Sequence, residues 1–376
     1  MSHLNPILNR YTREKVTLRQ SEKSEAKAFC LPIVEKILEE VKMKDSRFAA
    51  MKIEGRGSYY ERCKVGEPDE FDLMLVIKDL ELDDDPYNDT ENDGMSAEPP
   101  TGFTRVMIDM GEEEIWRKNS CVNARGMLSA SRVKAVFSSL VRSAIEELDD
   151  DERFHVNVRS HGPAVTLTLT NYWNRKSYSI DLVPAIKDKT WPEDADEWKA
   201  SSPREGWPPQ NVVREIRKDG CHLVAKVPKG STVPEGEKQF LWMYSFSGAE
   251  KTLFLKGGQG EASSCSKQVL RIFKALKEQL ELHPLTSYHL KTMLFYECEE
   301  NPHHSHWSFN RLGERFLGLL QRLETCLSQR HCPHYFIREL NLFEMFSPQK
   351  CVELTRIIQI FQSNPERALS CLIEQN

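Results

Sequence analysis

Three acidic residues limit what this chain can fold into more than any other feature. Glu70 and Asp72 stand two apart in Glu70-Phe71-Asp72, and Asp181 sits alone in the apolar run Tyr178-Ser-Ile-Asp-Leu-Val183. Side chains at i and i+2 of a strand project to one face, so Glu70 and Asp72 point together while Phe71 points the other way. Carboxylates held that close repel, and setting them beside Leu73, Leu75 and Ile77 is costly unless a cation compensates. An aspartate between Ile180 and Leu182 makes the same demand. Magnesium or manganese suits carboxylate oxygens, and two such ions about 3.5–4 Å apart can activate an attacking hydroxyl and stabilise departing pyrophosphate. Gly57-Ser58, ahead of the strand, lets the backbone approach a triphosphate and adds a hydroxyl donor. The pattern predicts metal-dependent nucleotidyl transfer, with Glu70, Asp72 and Asp181 holding two ions and Asp181 bridging metal to the attacking sugar hydroxyl. The acidic triplet alone also occurs on ordinary half-exposed strands; its conjunction with Gly57-Ser58 and Asp181 carries the reading.

At 376 residues the chain exceeds the usual size of one core, which predicts two lobes. Phe29, Ile33, Val34, Ile37, Leu38 and Val41 form a helical stripe, in which Pro32 predicts a kink or a late start. Strand-like runs follow at 71–77, 154–158, 163–170 and 178–184, with a helix between them striped by Val133, Val136, Phe137, Leu140, Val141, Ala144 and Ile145. A segment rich in Trp, Pro and charge, 187–209, marks the lobe boundary. Beyond it the stripes are helical: Val269, Ile272, Phe273, Leu276 and Leu280; Leu312, Phe316, Leu319, Leu320 and Leu323; Val352, Ile357, Ile358 and Phe361. The expected fold is α/β (α+β) and bilobal. Residues 1–200 would form a long N-terminal helix and a mixed-sheet catalytic lobe, and residues 201–376 a helical lobe, with the site in the cleft between them.

No run of 18 apolar residues occurs and the first 30 residues have no signal-peptide core, so a soluble cytoplasmic protein with no membrane partner is expected. Ten cysteines without regular spacing and without a CxxC pair read as reduced thiols rather than a disulfide framework. His303-His304-Ser-His306 reads as a turn. The net charge of −6 is misleading, because residues 79–114 hold 13 Asp and Glu against one Arg, leaving the remainder positive. That acidic stretch reads as a solvated insertion. The first 56 residues carry 12 Lys and Arg against 8 Asp and Glu, with Arg10, Arg13, Lys15, Arg19, Lys23 and Lys27 on what reads as one long helix. Lys251, Lys256, Lys267, Arg271, Lys274 and Lys277 form a second group. Such groups suit sequence-independent contact with phosphates, although mixed-charge helices also serve as plain solvated faces.

The stretch Gly57-Ser-Tyr-Tyr-Glu-Arg-Cys-Lys-Val-Gly-Glu-Pro-Asp-Glu-Phe-Asp72 resembles the catalytic segment of the cyclic GMP-AMP synthase (cGAS) family and the animal cGAS-like receptors. Further similar segments follow in order: Met127–Ser131, Gly162–Leu167, Ser179–Pro184, Trp242 with Ser245-Phe-Ser247, Ser287-Tyr-His289 with Lys291-Thr292, and Tyr335-Phe-Ile337 with Asn341-Leu-Phe343. The resemblance runs through nearly the whole chain. It implies a spine helix linking both lobes, ATP and GTP as substrates, and a cyclic dinucleotide made through a linear intermediate. It also implies double-stranded nucleic acid as activator in innate immune sensing, and leaves ligand-induced homodimerisation open. Residue by residue, it implies that Tyr288 stacks on a base, that Lys274 and Ser287 touch phosphates or base edges, and that Ser245 lies near the base of the second nucleotide. Where cGAS carries a zinc-binding thumb, the stretch Gly257–Cys265 offers one cysteine and no histidine, so no structural zinc is expected and double-stranded RNA is favoured over DNA by analogy. Met243 stands where cGAS has an arginine and Arg56 where it has a threonine, which leaves base choice and linkage open. A catalytically silent scaffold of the same fold, and an enzyme adding nucleotides to RNA ends, are the rival readings.

Overall fold

The computed structural model describes residues 4–17, 20–80, 98–108, 113–148, 153–199, 206–228, 232–257 and 264–375. Most of the acidic insertion, Arg19, and residues 258–263 of the stretch compared with a zinc thumb lie outside them. Helix α1 (Leu4–Tyr11) continues through one irregular turn to Thr17, whose backbone is extended, before α2 (Gln20–Lys44) begins. The basic residues expected on one long helix are therefore divided: Arg10, Arg13 and Lys15 precede the break, and Lys23 and Lys27 follow it. Helix α2 begins at Gln20 and runs through Pro32, so of the expected kink or late start the late start is not found. Cys30, Val34, Ile37, Leu38 and Val41 are all buried, and their packing outweighs the ~3 kcal/mol that an interior proline costs a helix.

Strand β1 (Lys52–Arg56), the short turn α3 (Gly57–Tyr60) and β2 (Glu70–Val76) come next, then β3 (Phe103–Arg105), α4 (Glu113–Arg117) and α5 (Ala130–Glu146). The Ser129 hydroxyl caps α5 by accepting the Arg132 amide. Strands β4 (Phe154–His161), β5 (Ala164–Asn171) and β6 (Ser177–Asp188) are followed by α6 (Gln210–Asp219), β7 (Cys221–Val224), α7 (Glu235–Lys238), β8 (Leu241–Ser245) and α8 (Ser247–Lys256). These strands form one mixed sheet in the order β1-β2-β6-β7-β8-β3, with β5 and then β4 also attached through β6. Only the β2–β6 pairing is parallel.

The two faces of the sheet differ. Phe71, Leu73, Leu75, Leu167, Leu169, Ile180 and Leu182 fill the main core, with α2 and α5 contributing Val34, Leu38, Phe137 and Val141 to it. Alternation sends Glu70, Asp72, Met74, Asp181 and Val183 to the opposite face.

The remaining helices, α9 (Ser266–Gln279), α10 (Ser287–Glu300), α11 (Leu312–Gln329), α12 (Pro348–Ser363) and α13 (Pro365–Glu374), make the C-terminal lobe, and α1 packs on α11 and α13. The three tryptophans of the connector are packed against rings elsewhere in the chain. Trp198 lies 5.0 Å from Phe336 between ring centroids, Trp191 5.5 Å from Phe246, and Trp207 5.9 Å from Phe295. Because β7 and β8 rejoin the sheet after this connector, a boundary at residue 200 cuts between strands of one sheet. No described helix is long and apolar enough to cross a membrane.

Candidate active site

The parallel register sets Asp72 directly opposite Asp181, and Glu70 opposite Ser179. Period-two alternation makes the first pair neighbours on one face. Gly57 has φ +68°, and a Cβ there would overlap Asp72 Oδ2. Glycine is required by the carboxylate lying on it as well as by left-handed backbone, a reason separate from the phosphate approach suggested by the sequence. Burial above all, then the neighbouring charges of Asp181, Glu70 and Glu61, push the Asp72 carboxyl up to about 6 against an opposing pull from Lys291. Asp181 is oriented by the Thr166 hydroxyl, which donates to its Oδ1 at 2.7 Å. No lysine or arginine among the described residues forms an ion pair with either aspartate.

Glu70 stands apart. Its carboxylate, 64% exposed, receives Lys64 Nζ at 2.7 Å, and the same ammonium reaches Asp69 at 2.9 Å. With Glu70 so engaged, no three His, Cys, Asp or Glu side chains converge as a preformed metal-holding group among the described residues. The Asp72–Asp181 pair nevertheless fits a cation: two adjacent carboxylates, one with its charge disfavoured by burial, have an unmet need for positive charge.

At the Glu70 end of β2 opens a cleft of about 370 Å³ lined by Ser58, Lys64, Glu70, Lys274 and Ser287 among others, without Asp72 or Asp181 in its lining. Lys274 is only 6% exposed and makes no ion pair among the described residues. Burial lowers its pKa; Cys63 and Glu61 oppose the shift, while Lys291 and Lys64 reinforce it. A buried ammonium without a bound acid, at the wall of a cleft, suits a phosphate group. Ser287 sits at the first turn of α10, where Thr286 and His289 cap the helix reciprocally.

Of the residues singled out in the sequence, Ser58, Glu70, Lys274 and Ser287 thus line one cleft; Gly57, Asp72 and Asp181 are outside its lining, Gly57 preceding Ser58, Asp72 lying two residues along β2 from Glu70 and Asp181 opposite Asp72 on β6. Ser245 and Tyr288 are not part of its lining. Ser245 ends β8, with its hydroxyl 3.4 Å from that of Ser247, which in turn lies 4.0 Å from Met74 Sδ on the carboxylate-bearing face. Tyr288 Oη pairs with His334 Nε2 at 2.6 Å. Its phenol lies well above the usual range because it is buried and faces Glu250, while part of the residue remains accessible.

Sequence reasoning missed a second ionic cluster. Lys291 Nζ donates to Glu61 Oε1 at 2.8 Å and Glu250 Oε2 at 2.7 Å, and all three residues are buried. Burial disfavours the Lys291 charge, but Glu250 and Glu61 overcome it and hold the ammonium above its ordinary pKa. The cluster ties α10 to the end of α3 and to α8. No local spacing could reveal it, since its members are 41 and 230 residues apart.

Residues 59–256 match the Mab-21 protein nucleotidyltransferase domain, and residues 265–360 match the Mab-21 protein HhH/H2TH-like domain. The chain belongs to the Mab-21 family. A protein described as mab-21-like from Aedes aegypti is 30% identical over 349 residues, covering 91% of this chain and 88% of that protein. The Mab-21 nucleotidyltransferase match contains the three carboxylates, and the helical match contains Lys274, Ser287, Tyr288 and Lys291, so the cleft draws on both Mab-21 domains. The likeness to cGAS holds at the level of the superfamily that cGAS and Mab-21 proteins share, and the family is Mab-21 rather than the cGAS-like receptors.

Proposed function

We propose that this chain is a metal-dependent nucleotidyltransferase that joins ATP and GTP into a cyclic dinucleotide through a linear intermediate, as a cytoplasmic innate immune sensor of double-stranded RNA. The supporting observation is the Asp72–Asp181 pair, side by side with no lysine or arginine paired to it among the described residues and with Asp72 raised to about 6. Magnesium or manganese held by Asp72, Asp181 and, once released from Lys64, Glu70 would supply Lewis acidity at the phosphoryl group and the attacking hydroxyl. Asp181, held by Thr166, receives the ribose hydroxyl proton. Lys274, Ser58 and Ser287 bind phosphate oxygens in the cleft. Tyr288 offers a ring to one base, and Ser245 a hydroxyl to the other. No structural zinc takes part in this reading.

A cluster of cations favours nucleic acid as activator. Burial lowers the pKa of Lys23, with Arg271 adding to the effect, and burial likewise leads the lowering at Lys267, where Arg62 and Arg271 contribute. These four side chains make no ion pair among the described residues, and unpaired cations gain affinity from phosphates by counterion release. Duplex RNA would be read through its shape, phosphates and 2′-hydroxyls.

One observation favours a second reading, a silent scaffold of the same fold: Glu70 is already neutralised by Lys64. The deciding assay incubates purified protein with labelled ATP and GTP, Mn²⁺, and duplex RNA or DNA. A phosphatase-resistant species of cyclic dinucleotide mass is expected with wild type, reduced by roughly 10²–10³-fold or more in Asp181→Asn. Silence with every duplex leaves the scaffold, and a length ladder points to addition at RNA ends.

A further inference from the structure

We propose that Lys64 is an exchangeable counter-ion for Glu70, holding the carboxylate while no metal is present and turning to the substrate's triphosphate when a divalent ion takes its place. The inference rests on the nucleotidyltransferase reading and adds to it a residue with two alternating partners.

The asymmetry of burial carries the argument. The Lys64 side chain is 11% exposed, whereas its partners Glu70 and Asp69 are 64% and 45% exposed. An ordinary surface ion pair joins two solvated chains; here the cation is embedded and the acids come to it. Its position is also the one that matters for the reaction, because Lys64 lines the same 370 Å³ cleft as Ser58, Lys274 and Ser287.

An ammonium and a divalent ion repel strongly at contact range, so both cannot sit on the Glu70 oxygens. Metal arrival therefore displaces Lys64 from Glu70. Asp69 remains as its tether, and the nearest incoming negative charge is polyphosphate in the shared cleft. The segment between them is suited to a small rearrangement: residues 61–69 belong to no helix or strand, and Gly66 has φ +77° with no atom within 4 Å of where its Cβ would be. Exchange of partners makes metal and triphosphate bind with positive coupling, since each frees or satisfies the charge that the other leaves. No covalent step is involved.

The test compares wild type, Lys64→Met and Lys64→Arg by calorimetry. Mn²⁺ is titrated alone, and a non-hydrolysable ATP analogue is titrated with Mn²⁺ present. Removing the competing cation should tighten Mn²⁺ binding in Lys64→Met by about three- to fivefold, the scale of an exposed or half-exposed ion pair. The same variant should bind the analogue roughly tenfold more weakly, from loss of a charge-assisted phosphate contact. Lys64→Arg, with matching thermal stability, should restore both values towards wild type. A role confined to holding the loop in place cannot tighten metal binding while weakening the nucleotide. Mn²⁺ affinity in Lys64→Met equal to or below that of a metal-binding wild type overturns the exchange. A folded wild type that binds neither Mn²⁺ nor the analogue overturns the nucleotidyltransferase reading itself.

Discussion

Two pairs of carboxylates lie near one another in this protein and are treated in opposite ways. Glu61 and Glu250 share Lys291, which bonds to both and is buried with them. Asp72 and Asp181 face each other on adjacent strands with only the Thr166 hydroxyl reaching Asp181, and Asp72 is pushed up to about 6. The first pair carries its cation in the sequence, with Glu61 Oε2 alone left buried without a hydrogen-bond partner among the described residues. The second is only half-buried and has no lysine or arginine paired with it among the described residues, so on the proposed function its counter-charge would be a metal ion. The contrast separates a structural ion cluster from a binding site without appeal to which residues are acidic.

The sharpest way to break this contrast is Lys291→Met, which leaves two buried acids unpaired. Loss of about 3–5 kcal/mol of stability in urea denaturation is expected; a variant as stable as wild type would mean that Lys291 does not complete the first cluster. The second pair should respond in the opposite direction. A carboxyl whose pKa is higher folded (about 6) than unfolded (3.8) binds its proton more tightly in the native state. Stability contributed by that proton is complete below about pH 4 and is lost as pH rises through about 6. In chelator, Asp72→Asn should therefore be more stable than wild type above pH 6, by of order 1–3 kcal/mol, with the difference vanishing near pH 4. Thermal melts across that range check it, and added Mn²⁺ should raise only the wild-type melting temperature. An Asp72→Asn protein less stable than wild type at pH 7.5 would place Asp72 among the satisfied acids. The smallest effect belongs to Thr166→Val, which removes the hydrogen bond to Asp181 Oδ1 at a cost of about 1 kcal/mol in urea.

What could be read from the sequence was what depends on short-range geometry. The i, i+2 rule placed Glu70 and Asp72 on one face, and the apolar setting of Asp181 marked it as costly, because both follow from strand periodicity alone. The stripes in α5, α9, α11 and α12 were legible for the same reason at a period of 3.6. The register that sets Asp72 against Asp181 was not, since strand pairing across more than a hundred residues leaves no local trace. Nor was the diversion of Glu70 to Lys64, because a six-residue spacing in a loop specifies no contact. The late helix start that Pro32 allowed is not found, because its backbone penalty is local while the buried stripe that overrides it is tertiary. The two basic groups looked like faces, yet Lys15 donates to the Gln375 carbonyl, Lys251 to that of Gly55, and Lys256 pairs with Glu215. Lys23, Arg62, Lys267 and Arg271, drawn from three separate segments, make no ion pair among the described residues, and neither does Lys274 in the cleft wall.

The ring-to-ring packing of the connector has a mechanical corollary. Trp198 and Trp207 pack on Phe336 and Phe295 of the C-terminal half, and Lys291, over the Phe254 ring that packs on Phe295, ties α10 to α3 and α8, so the described residues on that side are joined across both lobes. On the proposed function, nucleotides would enter and leave over the polar rim near Lys15, Glu67 and Glu278, and turnover would be paced by rearrangement of that rim rather than by the lobes swinging apart.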